Sequence, residues 1–190
     1  MKIGSYKGWS SRNFKGLIDE VCIWNRSLTQ EEIREHRHLT HYLAQDPTIY
    51  AYYQFNESES IIYDKIAARN TTFNGTSVRS TSTAPVGGGT VGRLNIASGG
   101  NYDFAPAGVQ LDFSATGTSP SGEVLAFQLN VPPDVAPTNA IIPQNGYYIV
   151  NNYGTNSAFS ALNSLTFGNT TLTELESENP QALDLSLIHI

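Results

Sequence analysis

Beyond residue 93 the sequence is built from short runs of β-favouring residues separated by turn-forming ones: Arg93–Ala97, Val109–Phe113, Glu123–Val131, Tyr147–Asn152 and Ser164–Phe167. Recurrence at that spacing is the signature of an all-β sandwich or barrel. Val109, Leu111 and Phe113 alternate with Gln110 and Asp112, which gives that strand one dry face and one wet face. In Leu125-Ala126-Phe127-Gln128-Leu129-Asn130-Val131 every odd position is apolar. An antiparallel β-sandwich is the expected architecture.

The upstream part also contains strand signals. Gly16-Leu17-Ile18-Asp19-Glu20-Val21-Cys22-Ile23-Trp24 carries apolar residues on both faces of an extended chain, so a strand covered on both sides is expected, with Cys22 as a buried small hydrophobe. In Ser27-Leu28-Thr29-Gln30-Glu31-Glu32-Ile33, Thr29 stands as N-cap, Glu32 closes a capping box, and Leu28 and Ile33 take the hydrophobic-staple positions. The helix so started is predicted to run to about Leu43. Ile33, His36, Leu39, Thr40 and Leu43 then lie on one stripe, and Arg34, Arg37, His38 and His41 lie outside it. Ile49–Phe55 reads as a strand, Asn56–Ser60 as a polar turn, and Ile61–Asp64 and Thr71–Phe73 as the flanks of a loop. Ser80–Gly92, rich in Ser, Thr and Gly, reads as a linker.

Charge changes at the same place. All eleven Lys and Arg residues lie between Lys2 and Arg93, where nine carboxylates accompany them. From Leu94 to Ile190 there are eight carboxylates and no basic residue. A net charge of −6 with no basic cluster argues against a nucleic-acid partner, which is held through its phosphates. No apolar run reaches the length of a membrane span, and no apolar export signal follows Met1.

Residues 14–33, Phe14-Lys15-Gly16-Leu17-Ile18-Asp19-Glu20-Val21-Cys22-Ile23-Trp24-Asn25-Arg26-Ser27-Leu28-Thr29-Gln30-Glu31-Glu32-Ile33, resemble the closing signature of LamG-like jelly-roll domains of the concanavalin A-like lectin/glucanase superfamily. The resemblance covers only the C-terminal part of such a domain. It implies that the natural chain extends before Met1, and that Val21, Ile23 and Trp24 are left partly uncovered. Tyr52-Tyr53-Gln54-Phe55-Asn56-Glu57, with Tyr63-Asp64-Lys65 and Asn74-Gly75, resembles the segment that often follows these domains in large bacterial surface proteins, and the acidic remainder resembles a further sandwich module of such proteins. The last six residues, Leu185-Ser186-Leu187-Ile188-His189-Ile190, resemble translated sequencing-adapter sequence, so the natural chain is expected to continue past about Asp184.

The expected fold is therefore mainly β: an antiparallel β-sandwich, made of a jelly-roll remnant and part of a second sandwich, with one short α-helix near residues 30–43. Its expected divisions are 1–45 for the jelly-roll tail, 46–79 for the strand pair and loop, 80–92 for the linker, 93–184 for the acidic module, and 185–190 for the adapter.

Candidate chemistry is sparse. Glycoside hydrolysis needs two carboxylates about 5–5.5 Å or roughly 6.5–9.5 Å apart. Asp19 and Glu20 are adjacent and, on a strand, would point to opposite faces. His36, His38 and His41 lack the further ligands of a zinc shell, and the last two stand beside Arg34 and Arg37; a half-buried His36 with two solvated imidazoles is expected instead. Asp64, Asn70 and Asn74 are candidate oxygen ligands for Ca²⁺, and equally ordinary turn residues. Tyr50, Tyr52 and Tyr147 are candidate stacking platforms for sugar rings if exposed, and core filling if buried. No catalytic residues and no required cofactor are expected.

What the resemblance implies is a non-catalytic carbohydrate-binding or adhesion module of a secreted or cell-surface bacterial protein, with a glycan or an extracellular matrix or surface protein as partner. The alternatives are an accessory part of a glycoside hydrolase whose catalytic residues lie upstream, and a structural spacer.

Overall fold

The computed structural model describes residues 3–5, 13–40, 46–73, 77–131, 147–155, 161–168 and 170–173. His41, Leu43, Asn74 and the six C-terminal residues lie outside them. The fold is mainly β with antiparallel sheets. The chain forms two compact units, residues 1–30 with 41–84 and residues 31–40 with 85–190, so it passes between units three times.

In the first unit, β1 (Val21–Trp24) pairs antiparallel with β2 (Ile49–Tyr53), and β3 (Ile61–Ile62) pairs with β4 (Thr71–Thr72). Ala51, Tyr53 and Ile62 form its core, with Ile3, Ile23, Phe55 and Phe73 packed against them. The strand expected from residue 16 begins only at Val21. Glu20 has φ 50°, a left-handed conformation that breaks an extended chain, and its N–H bonds back to Asp19 Oδ1 at 3.0 Å. Leu17 is consequently 77% exposed instead of covered, and all four residues of β1 are half-buried. Cys22 is half-buried rather than fully enclosed, enough for desolvation to push its thiol up to about 12.

In the second unit, two antiparallel sheets face one another. One has the order β5 (Gly89–Ile96), β8 (Gly122–Leu129), β9 (Tyr147–Asn152); the other runs β11 (Thr170–Thr173), β10 (Leu162–Phe167), β7 (Val109–Phe113), β6 (Gly100–Phe104). Ile96, Val124, Ala126 and Val150 of the first sheet meet Phe104, Val109, Leu111, Phe113 and Leu165 of the second. Each Val, Leu, Ile or Phe among them, fully withdrawn from water, contributes roughly 1.5–3 kcal/mol of transfer free energy.

β6 is not among the expected strands. It holds through its register with β7 and through Tyr102, whose ring meets Phe113 edge-on at 6.2 Å. Part of the expected linker is also strand. Gly89–Gly92 opens β5, and its glycines serve close approach: a Cβ on Gly89 would lie 1.9 Å from the Gln128 carbonyl oxygen, and one on Gly92 would lie 2.8 Å from Phe104 Cβ.

β8 is dry on both faces. Val124 and Ala126 enter the sandwich core, while Leu125, Phe127 and Leu129 form a second cluster with Ile149, against which Leu39, Val91, Val131 and Tyr153 pack. Leu39 belongs to residues 31–40, the stretch expected to close the jelly-roll tail.

That stretch departs from expectation in two ways. α1 (Gln30–Glu35) starts directly after Thr29, where the cap predicts, but it ends eight residues before Leu43. The backbone of 38–40 is committed elsewhere: Gly87 N–H donates to His38 C=O at 3.0 Å, and Thr40 N–H donates to Gly87 C=O at 2.9 Å, around a parallel bridge between Leu39 and Gly87. A chain hydrogen-bonded sideways in this way cannot continue the helical ladder.

The orientation of the stretch is also reversed. Ile33, expected inside, is 58% exposed, and His38, expected in solvent, is 5% exposed. Polar groups on the covered sheet explain the reversal. His38 Nδ1 lies 2.9 Å from the Pro85 carbonyl oxygen, its Nε2 lies 2.9 Å from Asn151 Nδ2, and its ring meets Phe127 edge-on at 4.9 Å. One turn earlier, Arg34 pairs with Glu123 and stacks over Tyr153 at 4.3 Å, while Arg93 bridges Glu123 at 3.1 Å and Glu35 at 2.8 Å. Glu123 thus gains a second counter-charge beside that of Arg93, the last basic residue of the sequence. Ile33→Lys is expected to shift stability by no more than about 0.5 kcal/mol in urea titration, as an exposed position should; a loss above about 1.5 kcal/mol would show that Ile33 is in fact packed.

Candidate functional site

Four of the six candidate residues meet on one strand edge. One edge of β2 pairs with β1, and the other would leave its peptide groups open, as any edge strand does. The loop after β3 closes it. Tyr52 N–H donates to Asp64 Oδ1 at 3.0 Å, Tyr52 C=O accepts from Lys65 N–H at 2.9 Å, and Tyr50 C=O accepts from Arg69 Nη1 at 2.7 Å.

Asp64 organises the loop. Its side chain is fully buried; Oδ1 also accepts from Ile66 N–H at 3.0 Å, and Oδ2 lies 3.4 Å from Arg69 Nη1. Asn70 Oδ1 accepts from the Asp64 N–H at 3.2 Å. Burial raises the Asp64 pKa, but bonds from the N–H groups of Tyr52, Ile66 and Ala67 and from Arg69 outweigh it, and the carboxyl rests below its ordinary range. Asp64 and Asn70, candidates either for Ca²⁺ ligands or for turn residues, are thus brought together as acceptors within one loop, with a guanidinium against the Asp64 carboxylate. Asn74 lies outside the described residues. Among the described residues no group of three or more His, Cys, Asp or Glu is placed to hold a metal ion.

The tyrosines diverge. Tyr52 is 1% exposed, so its ring cannot serve as a stacking surface; its hydroxyl donates to Glu20 and accepts from Gln54 Nε2 at 3.2 Å. Burial at that contact raises the Glu20 carboxyl above its ordinary range. Tyr50 is 41% exposed, and the Arg69 guanidinium lies over its ring, 4.0 Å from the centroid. Tyr147 begins β9 in the second unit, and its side chain lies outside the described residues.

At the start of β2, Asp46 accepts from Thr48 Oγ1 at 2.6 Å, Thr48 N–H at 2.9 Å and Trp24 Nε1 at 3.0 Å, with Arg26 at 3.2 Å. The Thr48 hydroxyl leads the set that lowers its carboxyl to about 2. Asp46 and Asp64 therefore fix β2 from both sides.

Arg69 is the residue that sequence reasoning missed. The only available signal was an arginine beside Asn70 and five residues after Asp64, and it gained meaning once the open edge of β2 was known. Among the described residues, no helix is long and apolar enough to cross a membrane. No protein-family model matches the chain, and no curated protein or solved structure matches it.

Proposed function

We propose that this chain is a non-catalytic carbohydrate-binding or adhesion module of a secreted or cell-surface bacterial protein, with Tyr50 as the contact surface. The observation that carries this reading is the exposed Tyr50 ring, held rigid on a strand edge by Arg69, which is itself braced by Asp64. A ring so fixed offers an apolar face and a hydroxyl with little rotamer entropy to lose on binding, which suits a pyranose. The resemblance of residues 14–33 to LamG-like jelly rolls supports the same class. The non-catalytic part is supported by the employment of Asp46, Glu57 and Asp64, which bind backbone N–H groups and pair with Arg26, Lys65 and Arg69.

A glycan array probed with the full chain tests the proposal. Binding to a defined glycan set is expected, and Tyr50→Ala should weaken it about tenfold, equivalent to about 1.4 kcal/mol. Retained affinity in Tyr50→Ala would remove the ring from the site, and silence of the wild-type chain on every glycan would overturn the proposal.

A further inference from the structure

We infer that the Tyr50 surface selects sugars bearing a carboxylate, such as hexuronates; this rests on the carbohydrate-binding reading above.

The ion pairs around β2 are layered. Arg69 and Lys65 are 42% and 36% exposed at the side chain, whereas their partners Asp64 and Glu57 are 0% and 8% exposed. Each pair is formally neutral, yet the negative member lies beneath and the positive member faces water. Solvent screens the outward charge, but the sign that a ligand meets first is positive. The surrounding unit agrees, with eight Lys and Arg against six Asp and Glu. The Lys65 backbone N–H and the Arg69 guanidinium are bonded to the carbonyls of Tyr52 and Tyr50, two residues apart on β2, while the Lys65 ammonium rests on Glu57.

The guanidinium also has an unused edge. Nη1 is occupied by the Tyr50 carbonyl and Asp64, whereas Nε and Nη2 have no partner among the described residues. The Nε–Nη2 pair is one of the forks that grips a carboxylate through two parallel bonds. Stacking on Tyr50 holds the plane of that fork in place. An oligouronate supplies a group for each element: a carboxylate for the fork and, because the guanidinium already covers one face of the Tyr50 ring, the pyranose of a neighbouring residue for the opposite face. A neutral sugar would leave the fork in water.

The test is calorimetric titration of the full chain with four oligosaccharides of matched length: galacturonan, its methyl ester, neutral galactan and a sulfated galactan. Galacturonan should bind, with affinity falling as salt rises, and the ester and the galactan at least tenfold more weakly. Arg69→Lys keeps the charge but removes the fork, and should weaken galacturonan binding about tenfold while leaving the far-ultraviolet circular dichroism unchanged. The ester comparison needs no variant, so it decides even if Arg69→Lys misfolds. Equal binding of acid and ester, sulfated galactan bound as tightly as galacturonan, or a folded Arg69→Lys that binds normally would each overturn carboxylate selection and leave sugar binding standing. Failure to bind any of the four, together with a silent glycan array, would overturn both.

Discussion

Replacing Phe127 by alanine is expected to cost the sandwich about 3–5 kcal/mol, the range for removing a large aromatic from a core. Phe127 is fully buried on the central strand of its sheet, where β5 and β9 hold β8 on either side, so the backbone has little freedom to close a cavity. The loss extends to the covering segment. The His38 ring rests edge-on against Phe127, so the change also removes a packing support from a side chain bonded to Pro85 and Asn151. Urea denaturation followed by circular dichroism measures the effect through the shift in midpoint at constant slope. A cost under about 1 kcal/mol would mean that the second face of β8 is not a packed core.

Removing the Asp64 carboxylate should be nearly as damaging to the first unit, for an electrostatic reason. Asp64→Ala strands the N–H groups of Tyr52 and Ile66, at about 1–3 kcal/mol each if they stay buried. The lost ion pair adds less, because Arg69 is exposed enough to be rehydrated. About 3 kcal/mol in total is expected, and Asp64→Asn, which keeps one acceptor oxygen, should cost roughly half as much. The pH dependence follows in sign. Because the folded-state carboxyl lies below its ordinary value, its contribution is complete above the unfolded pKa of about 4 and is lost as pH falls through the lower folded value. Acid titration of Asp64→Asn should therefore show a shallower stability loss below pH 4 than wild type. Parallel acid limbs would contradict the assigned role of the carboxylate.

How much of this was legible in the sequence depends on which physical signal each element carries. β7 could be read residue by residue, since Val109, Leu111 and Phe113 point into one core and Gln110 and Asp112 do not. The start of α1 was also legible, because a cap is local chemistry. Its end was not, since Leu39 is drawn out of the helix by Gly87, a residue 48 positions away. The same non-local cause hid the burial of His38, where apolar periodicity placed Ile33 inside although the receiving sheet offered Glu123 and Asn151. Gly89–Gly92 was misread because glycine marks both loops and places where two backbones approach closely. At the candidate site, Tyr50, Tyr52, Asp64 and Asn70 were named for two unrelated reasons, and what joins them is the open edge of β2, a property of pairing that no single segment displays.

The capture of residues 31–40 by the downstream sandwich also bears on the order in which the protein is made. Arg34 precedes Glu123 by 89 positions, and His38 precedes Asn151 by 113. At about 5–20 residues per second, a ribosome would deliver the segment roughly 5–20 s before its receiving sheet. A six-residue helix is far too short to persist alone over that interval. Glu31–Thr40 can therefore complete its docking only after β9, which carries Asn151, has emerged.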